Sequence, residues 1–336
     1  MRHRIVLLGV LLLSASVAWP QSLTKTGTTA AAFLKIGVGS RAIGMGGAFA
    51  ATATDISAMY WNPAGLATLN GNEATFNHVG WFADVQYDFA GVALSLSEFG
   101  TLGAFVSVLT MDEMDVRTIE MPEGTGERFK AGGFELGLSY ARSLTDQFSI
   151  GFNAKYIRED LWHMSSTSFA LDVGVLYKIA VLNELRLGAN IANFGPKMKL
   201  EGRDNLYVIQ VGGAEGNQVN SDIQLESFDL PLLFRVGLAA DVVKEETARL
   251  TLAVDAVHPN DNSEYLNTGF EFGWNEIVFL RGGWKSLFER DTEQRWTLGA
   301  GLNYRVLGDI SLKIDYAYQD FGRLANVHYF SVGVKF

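Results

Sequence analysis

The chain contains no cysteine. That excludes disulfide staples, thiolate metal sites and lipid attachment through a cysteine. Charged residues make up only 19% of the sequence, below the roughly 25% usual in soluble domains. Beyond the first residues, no apolar run approaches the ~18 residues that a membrane-crossing helix needs, so any crossing is made by strands. No basic patch is interleaved with aromatics and the net charge is −10, which argues against nucleic acid as a partner. The five histidines, His3, His78, His163, His258 and His328, are scattered without ligand spacing, so no metal site is expected. No Gly-x-Ser-x-Gly elbow occurs. Gly37-x-Gly39-x-x-Ala42 lacks the preceding strand, the long helix and the downstream acid of a dinucleotide fold. No catalytic residue and no cofactor is therefore assigned, and the chain is read as not an enzyme.

What is abundant points elsewhere. Hydrophobic residues reach 48%, aromatics 12%, and there are 36 glycines. Arg2 and Arg4 precede the apolar run Ile5 to Leu13, followed by Ser16-Val17-Ala18. This is the layout of a cleaved export leader over residues 1–18.

From residue 72 to Phe336 the pattern alternates with period two. Phe330, Val332, Val334 and Phe336 share one face; Tyr329, Ser331, Gly333 and Lys335 share the other. About fourteen such segments follow one another, starting near Asn72, Val85, Thr101, Phe129, Gln147, Ser166, Leu185, Leu232, Ala248, Tyr265, Ile277, Gln294, Asp309 and Asn326. Many run about 9–12 residues, the reach of a tilted membrane strand. The connections sort by parity. Ser97–Gly100, Ser143–Asp146, Val181–Glu184, Lys244–Thr247, Trp274–Glu276 and Val306–Asp309 are short. Met111–Arg128, Arg158–Ser165, Gly195–Leu230, His258–Glu264, Ser286–Glu293 and Gln319–Ala325 are longer. Only Phe82–Asp84 breaks the rule. Short inner turns and long outer loops belong to an outer-membrane barrel. The expectation is an all-β fold, a 14-stranded antiparallel transmembrane barrel over residues 72–336. Lys155, Asp172, Arg235, Asp241, Asp255, Lys313 and Asp315 should face the lumen. Trp81, Tyr87, Tyr177, Trp274, Trp284, Trp296, Tyr304 and Phe321 are candidates for interfacial girdles. A final strand ending on Phe336, with Phe330, Val332 and Val334, suits an outer-membrane assembly signal.

Residues 19–71 follow another rule. They are rich in Ala and Gly and show no alternation. They carry too few large apolar residues for a domain of their own. A lumen of fourteen strands is open unless filled, so this segment is expected inside as a hatch. Gly44, Gly46 and Gly47 imply tight backbone. In Asn62-Pro63-Ala64-Gly65, Pro63 restricts φ and Asn62 can cap a turn, a structural role.

The runs Ser40-Arg41-Ala42-Ile43-Gly44-Met45-Gly46-Gly47 and Ala58-Met59-Tyr60-Trp61-Asn62-Pro63-Ala64-Gly65 resemble the FadL-type outer-membrane family, in particular its PorV/PorQ-like branch. The resemblance implies a 14-stranded barrel with a luminal hatch ending in Asn62-Pro63-Ala64. It implies two alternative functions. One is a type IX secretion component that binds the C-terminal signal domain of secreted cargo, or the translocon, through outer loops. Leu206, Tyr207, Val208 and Ile209, an apolar stretch in the longest loop, are the candidate contact. The other is a channel for a hydrophobic small molecule. In either case the partners include outer-membrane lipid and the assembly machinery.

Overall fold

The computed structural model describes residues 25–181, 183–212, 216–289 and 292–336; the expected leader lies outside them. Fourteen strands form one closed antiparallel sheet. They are β1 (Glu73–Gly80), β2 (Gln86–Ser95), β3 (Thr101–Thr110), β4 (Ala131–Ser143), β5 (Phe148–Leu161), β6 (Met164–Ile179) and β7 (Leu185–Phe194), then β8 (Leu233–Lys244), β9 (Ala248–Pro259), β10 (Tyr265–Trp274), β11 (Val278–Leu287), β12 (Trp296–Leu307), β13 (Ile310–Gln319) and β14 (Val327–Lys335). Each pairs with its chain neighbours, and β14 returns to β1 from Glu73↔Lys335 to Gly80↔His328. Every strand begins within two residues of the start expected from alternation.

Alternation sets the two surfaces. Outward side chains are large and apolar: Leu138 is 64% exposed, Phe169 67% and Leu280 54%. Only lipid makes that exposure favourable. Inward side chains include buried Lys155, Asp172, Arg235, Asp241, Asp255 and Glu271.

Two expectations need correction. The connection over Arg158–Ser165 is not a long loop, because β5 and β6 run on and leave only Trp162 and His163 between them. Past the membrane, outward charges cost little, so the apolar alternation fades while the hydrogen-bonded ladder continues. Two expected girdle residues are also elsewhere. Tyr87 points inward and is buried. Phe321 is buried against Trp81 and Phe82 at the outer mouth, with centroids 5.4 and 4.8 Å away. Tyr177, Trp274, Trp284, Trp296 and Tyr304 are exposed.

The ladder shifts register at several places, and the shift between β6 and β7 opens the wall. Pairing of β6 with β7 shifts register between Leu171 and Val173. Asn193 adopts φ 65° there and donates its N–H to the Asp172 carboxylate at 2.7 Å. Beyond it Glu201 and Gly202 pair with the tip of β6. A groove of about 660 Å³ opens on the outer surface at this break, lined by Leu136, Leu138, Tyr156, Phe169, Leu171 and Phe194. The same long loop carries a two-stranded ribbon, Leu206–Val211 on Asn217–Asp222.

Candidate functional site

Residues 25–72 run down the middle of the barrel. Thr29 bridges to Asp229 at the outer rim, and Asn72 pairs with Phe336 at the inner rim. Between them lie short turns only: Ala32–Lys35, Ser40–Gly44, Ala58–Trp61 and Pro63–Thr68. Large side chains fill the space between these turns; Ile43, Met45, Phe49, Ile56 and Met59 are almost fully buried, with Ala42 beside them.

Backbone groups that such short elements leave unpaired are satisfied from the wall. Asp255 accepts the N–H groups of Phe49 and Ala50, both at 2.8 Å. Thr297 accepts from Gly46 N at 3.0 Å and donates to Gly44 O at 3.1 Å. Asn153 donates to Met59 O at 2.6 Å, and Ser331 accepts from Ser40 N at 2.8 Å.

Asn62 is fully buried. Its Nδ2 donates to Ala50 O at 2.8 Å and to Val175 O of β6 at 3.0 Å, while Oδ1 accepts from Ala64 N at 3.2 Å. It therefore caps the turn that Pro63 starts and ties the segment to itself and to the wall. Asn62→Ala leaves buried carbonyls and an amide without their partner, at about 1–3 kcal/mol per orphaned group. The expected result is a lower unfolding temperature in detergent and raised single-channel conductance.

Glycines face each other across this contact. A Cβ on wall residue Gly151 would meet Pro63 C at 2.3 Å, on Gly174 Asn62 Oδ1 at 2.1 Å, and on Gly283 Gly46 N at 2.3 Å. Gly46 and Gly47 have φ of 68° and 74°, the left-handed region that glycine enters freely. Gly44 Cα lies 3.0 Å from where a Cβ on Gly299 would sit. The wall glycines were not singled out in the sequence; their inward parity is the signal that would have found them.

One buried charge cluster fastens the segment. Arg41 holds Glu271 of β10 with two bonds of 2.8 and 3.0 Å, and Asp55 at 3.0 Å. Glu271, 1% exposed, also accepts from Arg281 at 2.8 Å and Arg249 at 3.0 Å. Arg281 reaches Asp315 at 2.5 Å, and Lys313 reaches Glu73 at 2.5 Å. Burial opposes the charge on Arg41, but the Glu271 and Asp55 carboxylates outweigh it and hold its pKa above the ordinary value. Burial likewise pushes the Asp55 carboxyl up, and Arg41 and Lys313 outweigh it, leaving it below the ordinary value. A depressed carboxylate contributes stability that is complete above its ordinary pKa of about 3.9 and is lost as pH falls through the folded-state value. The Arg41–Asp55 pair is therefore fully engaged at neutral pH.

Cavities remain toward the inner and the outer end of the lumen. The inner one, about 230 Å³, is lined by this cluster. The outer one, about 170 Å³, is lined by Lys35, Tyr60, Trp61, Arg235, Asp261, Tyr265, Lys285 and Glu289 among others. The remaining candidates lie far from both. Phe330, Val332 and Phe336 are exposed on the outer wall, with Val334 half-buried in the same row. Leu206, Tyr207, Val208 and Ile209 are 41–62% exposed in the ribbon. Among the described residues no group of acidic or histidine side chains is placed to hold a metal ion.

A closed fourteen-stranded barrel with an apolar belt, charged lumen and long outer loops is an outer-membrane barrel. Its fold matches the Pseudomonas putida toluene transporter TodX at 12% identity and TM-score 0.55, covering 89% of this chain and 97% of that one. It likewise matches a Pseudomonas aeruginosa FadL homologue at 12% identity and TM-score 0.51, covering 89% and 98%. Within that class the chain belongs to the family of the type IX secretion system protein PorV, whose family model matches residues 20–256. No curated protein matches it. The family is thus that of a secretion-system protein, and the likeness to the transporters is one of fold.

Proposed function

We propose that this protein handles cargo in type IX secretion. After removal of a leader over residues 1–18, residues 19–71 act as its hatch and residues 72–336 as its barrel. The outer loops, foremost Leu206, Tyr207, Val208 and Ile209, take the C-terminal signal domain of secreted proteins. One observation carries this reading. The ribbon strand exposes apolar side chains on both faces, above the membrane and away from the core, where such a patch marks a protein contact. The lumen supports it by contrast, since the inner and outer cavities described above are small and carry charged side chains, unsuited to a neutral apolar solute.

The test is affinity capture from native outer membranes in mild detergent, with mass spectrometry of proteins and lipids. Secreted proteins sharing one C-terminal domain are expected, and deletion of residues 206–222 should release them. Capture unchanged by that deletion would remove the ribbon from the contact. A second reading, uptake of a hydrophobic small molecule, is favoured by the groove at the break between β6 and β7. A stoichiometric hydrocarbon or fatty acid without protein partners is the result that would replace the first reading with it.

The last strand is proposed as the assembly signal. Deletion of Phe336 removes its two backbone bonds to Asn72 as well as its ring. Phe336→Ala keeps the bonds. Both variants are expected to reach the outer membrane at reduced level, while purified Phe336→Ala unfolds within about 0.5 kcal/mol of the parent. Normal membrane levels of Phe336→Ala would show that the ring is not read.

A further inference from the structure

Among the described residues, the outer cavity contains two cations without a carboxylate within ion-pair distance. Arg235, on β8, is 5% exposed. Its guanidinium lies 5.4 Å from the Tyr60 ring and 4.9 Å from the Trp61 ring, and its Nη1 has no hydrogen-bond partner. Lys285, half-buried on β11, lines the same space. The third cation there, Lys35, is taken by Asp261 at 2.6 Å, and Glu289 accepts from the Asn262 amide. Among the described residues the charged lining is thus Lys35, Arg235 and Lys285 against Asp261 and Glu289, three positive and two negative, one positive in excess. A buried guanidinium donor left unpaired is costly, and the buried carboxylates Asp255 and Glu271 are already engaged, Asp255 by the Phe49 and Ala50 amides and Glu271 by three guanidinium groups.

We infer that this cavity binds a small organic monocarboxylate, held between the luminal segment and the wall. The guanidinium fork matches the two oxygens of a carboxylate, and Lys285 supplies a second point charge. Tyr60, Trp61, Tyr265, Leu233 and Pro259 give the rest of the ligand an apolar wall, which a bare phosphate does not use. A volume of about 170 Å³ admits a body of one ring or a few carbons and excludes a long acyl chain. A bound anion bridges Tyr60 and Trp61 to Arg235 and Lys285, so it secures the luminal segment by mass action.

The test uses the full-length detergent-purified barrel and three probes: benzoate, its neutral counterpart benzamide, and inorganic phosphate. Titration calorimetry should show benzoate binding at one site, with a rise in unfolding temperature. Benzamide and phosphate should not bind. Arg235→Gln and Lys285→Gln are each expected to weaken benzoate about tenfold, the factor that loss of one charged hydrogen bond implies. Lys285→Gln is half-exposed and keeps the test open if Arg235→Gln does not assemble. Absence of saturable benzoate binding, equal binding of benzamide, or no effect of Lys285→Gln would overturn the site. Equal binding of phosphate would overturn the carboxylate assignment.

Discussion

Glu271→Ala should unfasten the luminal segment and lower the stability of the barrel by about 3–5 kcal/mol, the loss seen when one member of a buried ion cluster is removed. Glu271 accepts from Arg41, Arg249 and Arg281 at once, so its loss leaves three guanidinium groups facing one another in a lumen with little water. The outcome would be read in two ways: unfolding in detergent, and conductance in planar bilayers, which should rise as Arg41 swings away from the wall. The double replacement Glu271→Gln with Arg41→Gln should recover part of the loss, because it removes one positive charge along with the negative one. If Glu271→Ala unfolds with the parent and conducts like it, the cluster does not hold the segment.

Gly283→Ala is the second large effect. A single methyl there must sit 2.3 Å from Gly46 N and 2.5 Å from Met45 C. These are backbone atoms on a turn already held by Thr297, so no side chain can rotate out of the way. Overpacking costs about 1–3 kcal/mol, and here it acts by lifting the luminal segment from β11. Gly80→Ala is the control. Its Cβ would meet nothing within 4 Å, and it should change stability by no more than about 0.5 kcal/mol. Equal behaviour of the two variants would mean that the close approach at Gly283 carries no weight.

The wall was legible in the sequence because lipid and lumen act on alternate residues, so Phe330 and Ser331 report opposite solvents. The same rule places Glu271 inward between Phe270 and Phe272. What it cannot reveal is the partner. Arg41 and Glu271 are 230 positions apart, and nothing local distinguishes that pairing from one with Asp255 or Asp315. Tyr87 was misread because an aromatic near a strand end suits either solvent, and only its register on β1 and β3 turns it inward. The extended hairpin of β5 and β6 escaped because polar side chains on both faces look like a loop when only hydropathy is read. The role of Asn62-Pro63-Ala64 was legible only as a turn; its bond to Val175 depends on Gly174 leaving room in the opposite wall.

The route of residues 25–72 constrains how this molecule is made. The segment enters at the outer rim beside Asp229, fills the cross-section with Phe49, Tyr60 and Trp61, and joins β1 at the inner rim. Ser331, which receives the Ser40 amide, sits on β14, the strand that closes the barrel onto β1. A sheet that closed first would have to draw those rings through a ring of paired charges. A cylinder that closes its β1–β14 seam around the segment avoids that passage, and on such a route empty barrels should not accumulate.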